Sequence, residues 1–114
     1  LEGHSAVETV LHPALPSCPG HTIWKRDFSG STSVFSFVFK DNISAATVIK
    51  FINALSIFRI GMSWGGVNSL AVVYPSLERP NHDFEGRIVR LNIGLEAPND
   101  LIADLDQAMT SGMS

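Results

Sequence analysis

Only one cysteine, Cys18, stands in the 114 residues, so no intrachain disulfide can form and a reducing compartment is expected. Lysine and arginine together number 8 against 11 acidic residues, for a net charge of -3, and no basic run occurs. A nucleic-acid footprint is therefore missing. No stretch of about 18 apolar residues exists, which excludes a transmembrane helix. The opening residues, LEGHSAVETV, lack the basic segment and apolar run of a signal peptide. These absences lead us to expect a cytoplasmic protein that engages neither nucleic acid nor membrane.

Chemical signatures are equally scarce. There is no P-loop, no G-x-S-x-G and no G-x-G-x-x-G. His4, His12, His21 and His82 form no compact metal-ligand spacing, and Cys18 has no cysteine partner. His12 and His21 flank Cys18 in one stretch, but we expect solvated or locally bonded imidazoles and no metal. The lysines are only Lys25, Lys40 and Lys50. Lys40 ends a strand and Lys50 falls on the wet face of a helix, so none reads as a desolvated Schiff-base lysine.

What is present describes a core former: 45% of the residues are apolar and 17% charged, at a length that suits one domain. The chain starts at Leu1 rather than methionine and is expected to be cut from something longer. Leu1 and Glu2 read as the last turn of a helix with Gly3 past its end. The tail TSGMS is expected to fray as a natural terminus.

Strand and helix periods divide the sequence cleanly. Residues 7–11 (VETVL) predict a short strand, followed by a proline-rich loop, HPALPSCPGH. Residues 23–28 predict a helical turn, and residues 29–31 a chain turn. Residues 34–39 (VFSFVF) are the clearest strand: Phe35, Phe37 and Phe39 share one face, Val34, Ser36 and Val38 the other. Asp41, Asn42 and Ser44 offer N-caps to a helix over 43–55, in which Val48, Phe51, Ile52 and Leu55 keep helical spacing. A short apolar run at 57–60, a glycine-rich loop at 61–69 and a strand at 69–74 follow. Residues 76–86 read as a polar loop. The strand after it sends Arg87, Val89, Leu91 and Ile93 one way and Ile88, Arg90 and Asn92 the other. Pro98 and Asn99 then start a helix with Leu101, Leu105 and Ala108 on one face.

The expected fold is α+β: a mostly antiparallel four- to five-stranded sheet with helices packed on one face. Two helices cover only one face of such a sheet, yet VFSFVF is apolar on both. The second face is therefore expected to be loop-covered, exposed, or in contact with another domain or subunit, including self-association of the chain.

Arg90 lies on that second face. A charge in mid-strand is costly unless paired. Its planar fork suits a carboxylate bidentately, so it is either an anchor for a substrate carboxylate or one half of a structural ion pair with Glu85, Glu96 or an acid elsewhere. Ser63, Trp64, Gly65 and Gly66 (SWGG) are either a pocket wall or an ordinary turn with its tryptophan in the core. A stand-alone ACT-like small-molecule-binding or assembly module is also compatible with this element order.

Three segments together carry a resemblance: LHPALPSCPGHTIWKRDFSGSTSVFSFVF, FRIGMSWGGVNSL and GRIVRLNIGLEAPNDLIADLDQA. With their motifs HPALP, G-H-x-x-W-K-R-D-F, S-W-G-G and R-L-x-I-G-L-E in order, they resemble the C-terminal part of the cystathionine β-lyases, in the Cys/Met-metabolism family dependent on pyridoxal phosphate (PLP). The resemblance spans nearly the whole chain. It implies that residues 1–114 are the C-terminal small domain of a fold-type I PLP enzyme, one that cleaves cystathionine to homocysteine, pyruvate and ammonia in methionine biosynthesis. By motif, Arg90 resembles the arginine that holds the substrate α-carboxylate, and Ser63 and Trp64 resemble residues lining the pocket beside it. Gly65 and Gly66 resemble the turn that shapes its wall. The family's PLP lysine and the groups that hold the cofactor have no counterpart here. The resemblance thus implies that catalytic residues and PLP belong to a large preceding domain of a homotetrameric parent, and that this chain alone is inactive. Asn68 departs from the glutamate common in the family, which bears on local ion pairing or substrate preference.

Overall fold

Alternating phenylalanines build the middle of the sheet. In the computed structural model, which describes residues 1–74 and 86–112, the elements run β1 (Val7–Leu11), α1 (His21–Asp27), β2 (Val34–Phe39), α2 (Ala45–Ala54), β3 (Arg59–Ile60), β4 (Leu70–Tyr74), β5 (Ile88–Asn92) and α3 (Pro98–Gly112). The expected 76–86 loop, His82 and Glu85 lie wholly or almost wholly outside the described residues. The five strands form one sheet in the order β1-β2-β5-β4-β3. Three pairings are antiparallel, as expected, but β3 joins β4 in parallel, so the sheet is mixed. The parallel pair is two residues long, and Arg59 and Gly61 extend it by donating their backbone N–H groups to the Ser69 and Ala71 carbonyls.

β5, the last strand in sequence, occupies the centre. Its period-two pattern divides as read: Val89 and Leu91 are fully buried in the helix-side core, while Arg90 and Asn92 point to the opposite face. Phe37 and Phe39 of β2 meet Phe51 of α2 edge to face, with ring centroids 6.0 and 5.4 Å apart. Such aromatic pairs add about 0.5–1.5 kcal/mol each beyond the area they bury. Of the three N-caps on offer, α2 uses Ser44, whose hydroxyl accepts from the Thr47 N–H.

α3 packs beside α2 on the same face and carries Leu101, Ala108 and Met109 into the core. It continues through Gly112 where fraying from residue 110 was expected, because Gly112 is buried against the Phe51 backbone. α1 also departs from expectation. It forms two turns instead of one, buries no residue, and leaves Ile23 57% exposed. Two side chains fix its place: His21 Nδ1 bonds the Pro13 carbonyl at 2.7 Å, and the Trp24 indole N–H donates to the Gly30 carbonyl at 3.0 Å.

One buried carboxylate ties the two core helices together. Asp104 of α3 is 4% exposed and accepts from the backbone N–H groups of Ser56, Ile57 and Phe58, just past the end of α2, at 2.7–3.0 Å. Gln107 completes the arrangement by donating to Asp104 and to the Ala54 carbonyl. The C-terminus of α2 is thus closed both by its own Leu55 N–H, which donates to the Ile52 carbonyl at 3.3 Å, and from α3 by Gln107 on the Ala54 carbonyl.

Candidate functional site

The sheet register assembles a row of side chains on the face away from the helices. Ser36, Arg90 and Val72 stand side by side across β2, β5 and β4, with Val34, Asn92 and Leu70 in the next row. The glycine-rich loop 61–69 folds over this end of the face. A pocket of about 400 Å³ opens there, lined by Thr32, Ser33, Val34, Trp64, Gly65 and Arg90. A larger apolar groove between β2 and α3, lined by Val10, Phe35, Leu101 and Leu105 among others, has no arginine or lysine in its wall.

Arg90 is half-buried, and no carboxylate among the described residues pairs with it. Its guanidinium donates to the Met62 carbonyl and lies 5.3 Å from the Trp64 ring centroid and 5.8 Å from that of Tyr74. Among the described residues, two aromatic faces and one carbonyl thus hold the cation, and most of its five N–H donors are left available. Glu96, a candidate ion-pair partner in the sequence, is used elsewhere. Its carboxylate accepts from the Ser69 N–H at 2.9 Å and the Ser69 hydroxyl at 2.8 Å, and these bonds hold its pKa below the usual glutamate value. Glu85 lies outside the described residues.

Of the other expected site residues, Trp64 and Gly65 join Arg90 in the pocket wall. Ser63 and Gly66 sit beside them on the loop, exposed, and do not line it. Asn68 is exposed too, and its backbone carbonyl is the part held in place. Sequence reasoning passed over Thr32, Ser33, Tyr74 and Asn92. The available signal was Asn92: a polar residue closing an apolar strand, two positions from Arg90 and so on the same face.

The loop is clamped from the segment after β5. Leu95 N–H donates to the Val67 carbonyl at 2.8 Å, and Gly94 N–H donates to the Ser69 hydroxyl at 2.8 Å. Gly94 has to be glycine because a Cβ there would sit 2.2 Å from the Val67 carbonyl oxygen and 2.6 Å from Glu96 Oε1. Gly94→Ala is expected to push the loop off the sheet and cost about 1–3 kcal/mol, as overpacking does. A lowered urea midpoint with an unchanged denaturant slope is the measurement that checks this.

Comparison with known proteins places this geometry in context. The family model "Cys/Met metabolism PLP-dependent enzyme" matches residues 1–110. The cystathionine beta-lyase of Escherichia coli (strain K12) is 42% identical over 93% of this chain. The cystathionine gamma-lyase of Sus scrofa is 36% identical over 96% of it. Among solved structures, cystathionine gamma synthase from Xanthomonas oryzae pv. oryzae superposes with a TM-score of 0.83 at 29% identity, over 99% of this chain. The chain spans 28% of the length of each of these two lyases and 31% of that structure.

Among the described residues no lysine is placed to hold PLP as a Schiff base. No lysine lines the Arg90 pocket, Lys25 and Lys50 are exposed, and Lys40 is half-buried just past β2, so none is desolvated as a Schiff-base lysine is.

Proposed function

The chain belongs to the Cys/Met metabolism PLP-dependent enzyme family, and from that premise we propose that it is the C-terminal substrate-pocket domain of a carbon–sulfur lyase acting on cystathionine. The reaction we assign to the parent is the β-elimination that releases homocysteine, pyruvate and ammonia. PLP and the groups that hold it belong to the remainder of the parent. In this chain, Arg90 takes the substrate α-carboxylate, and Trp64 and Gly65 form the wall that limits its position.

One observation carries this reading: Arg90 is aimed into a pocket from the middle of the central strand, with no carboxylate among the described residues to neutralise it. A half-buried cation held by aromatic faces and a single carbonyl keeps its bidentate edge for an external anion. The rim adds support. Ile60, Met62, Trp64 and Val67 are each 62–66% exposed, an apolar border suited to contact with the rest of a longer chain. The family assignment leaves the stand-alone module without an observation in its favour.

The full-length parent, loaded with PLP and given cystathionine, is expected to produce pyruvate and homocysteine in equal amounts. Product identification by mass spectrometry decides the matter. Cysteine and 2-oxobutyrate instead would assign γ-elimination, and no turnover of cystathionine would remove the lyase reading.

A further inference from the structure

Asn92 is 1% exposed, although it is polar and stands on the same face of β5 as Arg90. Three side-chain hydrogen bonds tie it to the segments beside the pocket. Its Oδ1 accepts from the Gly65 N–H at 2.9 Å and from the Ser33 hydroxyl at 3.0 Å. Its Nδ2 donates to the Asn68 carbonyl at 3.3 Å. The amide orientation follows from chemistry, since a backbone N–H can only donate and a carbonyl can only accept. Ser33 and Gly65 both line the pocket, and both are tied to the same Asn92 oxygen. Gly65 adopts φ +78°, a left-handed conformation, and the Asn92 bond pins the amide of that turn. Trp64, one residue earlier, is thereby held against the Arg90 guanidinium.

From this geometry we infer that Asn92 is a positioning residue for the carboxylate pocket: one buried amide sets the distance between the Trp64–Gly65 wall, the Ser33 edge and the Arg90 fork. No other side chain of similar size does the same work. Aspartate keeps the acceptor but loses the donor to Asn68 and buries a charge. Leucine fills the volume and leaves the Gly65 N–H and the Asn68 carbonyl unpaired. The inference rests on the reading that Arg90 takes the substrate carboxylate, and the experiment separates the two.

The test uses the full-length PLP-loaded parent, with cystathionine and its analogue carrying a carboxamide at the reacting α-carbon as probes. Asn92→Leu is expected to raise KM for cystathionine about tenfold with kcat within about threefold, as displacement of a positioning wall does. The carboxylate-over-carboxamide ratio of kcat/KM should fall by about the same tenfold, because the wall no longer holds the fork. Hydrogen exchange at the Gly65 amide should accelerate in parallel. Arg90→Ala runs beside it as the control. If Arg90→Ala leaves the ratio unchanged, the carboxylate reading itself fails. If Arg90→Ala lowers the ratio while Asn92→Leu reduces turnover of both probes equally, the positioning role is overturned and Asn92 is structural only. Should Asn92→Leu not fold, the uncharged Asn92→Ala decides by the same ratio: a drop of about threefold or more supports the inference, and an unchanged ratio ends it.

Discussion

Replacing Arg90 with alanine in the full-length parent is expected to lower kcat/KM for cystathionine by about 2–4 kcal/mol, roughly 30- to 1000-fold. The size follows from what is lost. A bidentate guanidinium–carboxylate contact comprises two charge-assisted hydrogen bonds in a partly dehydrated pocket. Lysine should recover little, because a point charge on a flexible stem cannot reproduce the fork or lie between Trp64 and Tyr74. Stability should change little in either variant, since no carboxylate among the described residues is left without its cation. Steady-state kinetics beside a denaturation curve distinguish the outcomes. Unchanged turnover with reduced stability would assign Arg90 a structural role.

Asp104→Ala should have the largest effect on stability, about 3 kcal/mol, because three backbone N–H groups, that of Phe58 buried and the other two partly so, lose their acceptor at once. Asp104→Asn keeps one acceptor oxygen but turns an amide toward other donors, and should cost about 2 kcal/mol. The contribution depends on pH. Burial opposes ionisation of Asp104, but the bonds from Ser56, Phe58, Gln107 and Ile57 outweigh it and hold its pKa below the ordinary 3.8. A carboxylate with a depressed folded-state pKa stabilises fully above its unfolded value and loses that contribution as pH falls toward the folded one. Wild-type stability should therefore decline below about pH 4, and the difference between wild type and Asp104→Ala should narrow over the same interval. Urea titrations at pH 7 and pH 3 measure both.

The parts legible in the sequence are those governed by local period. The alternating phenylalanines of β2 and the split faces of β5 follow from a two-residue repeat, and the structure reproduces both. The spacing of Leu101, Leu105 and Ala108 located α3 in the same way. Asp104 falls on that apolar stripe, and it went unremarked because its partners lie 46–48 residues away. The parallel direction of β3 is not encoded in two exposed residues. It depends on how loop 61–69 returns the chain. At the site, Arg90 stood out as a charge in an apolar strand, whereas the bond between Glu96 and Ser69 spans 27 residues and no local rule predicts it. Ser33 is similar: a residue in a plain turn that gains a role only when β2 and β5 pair.

The central position of β5 also has a consequence during synthesis. β2 and β4 each hydrogen-bond to it and not to one another, so both have an open edge until residue 92 has emerged from the ribosome. By then the phenylalanine-rich β2 has been in solution for the whole interval in which about fifty further residues are added, at about 5–20 residues per second. Unpaired apolar edges of this kind invite pairing with other nascent chains. The strand that carries Arg90 is therefore also the one that closes the sheet against aggregation. A translational pause or premature stop ahead of residue 88 would leave an adhesive half-sheet for the cell's chaperones.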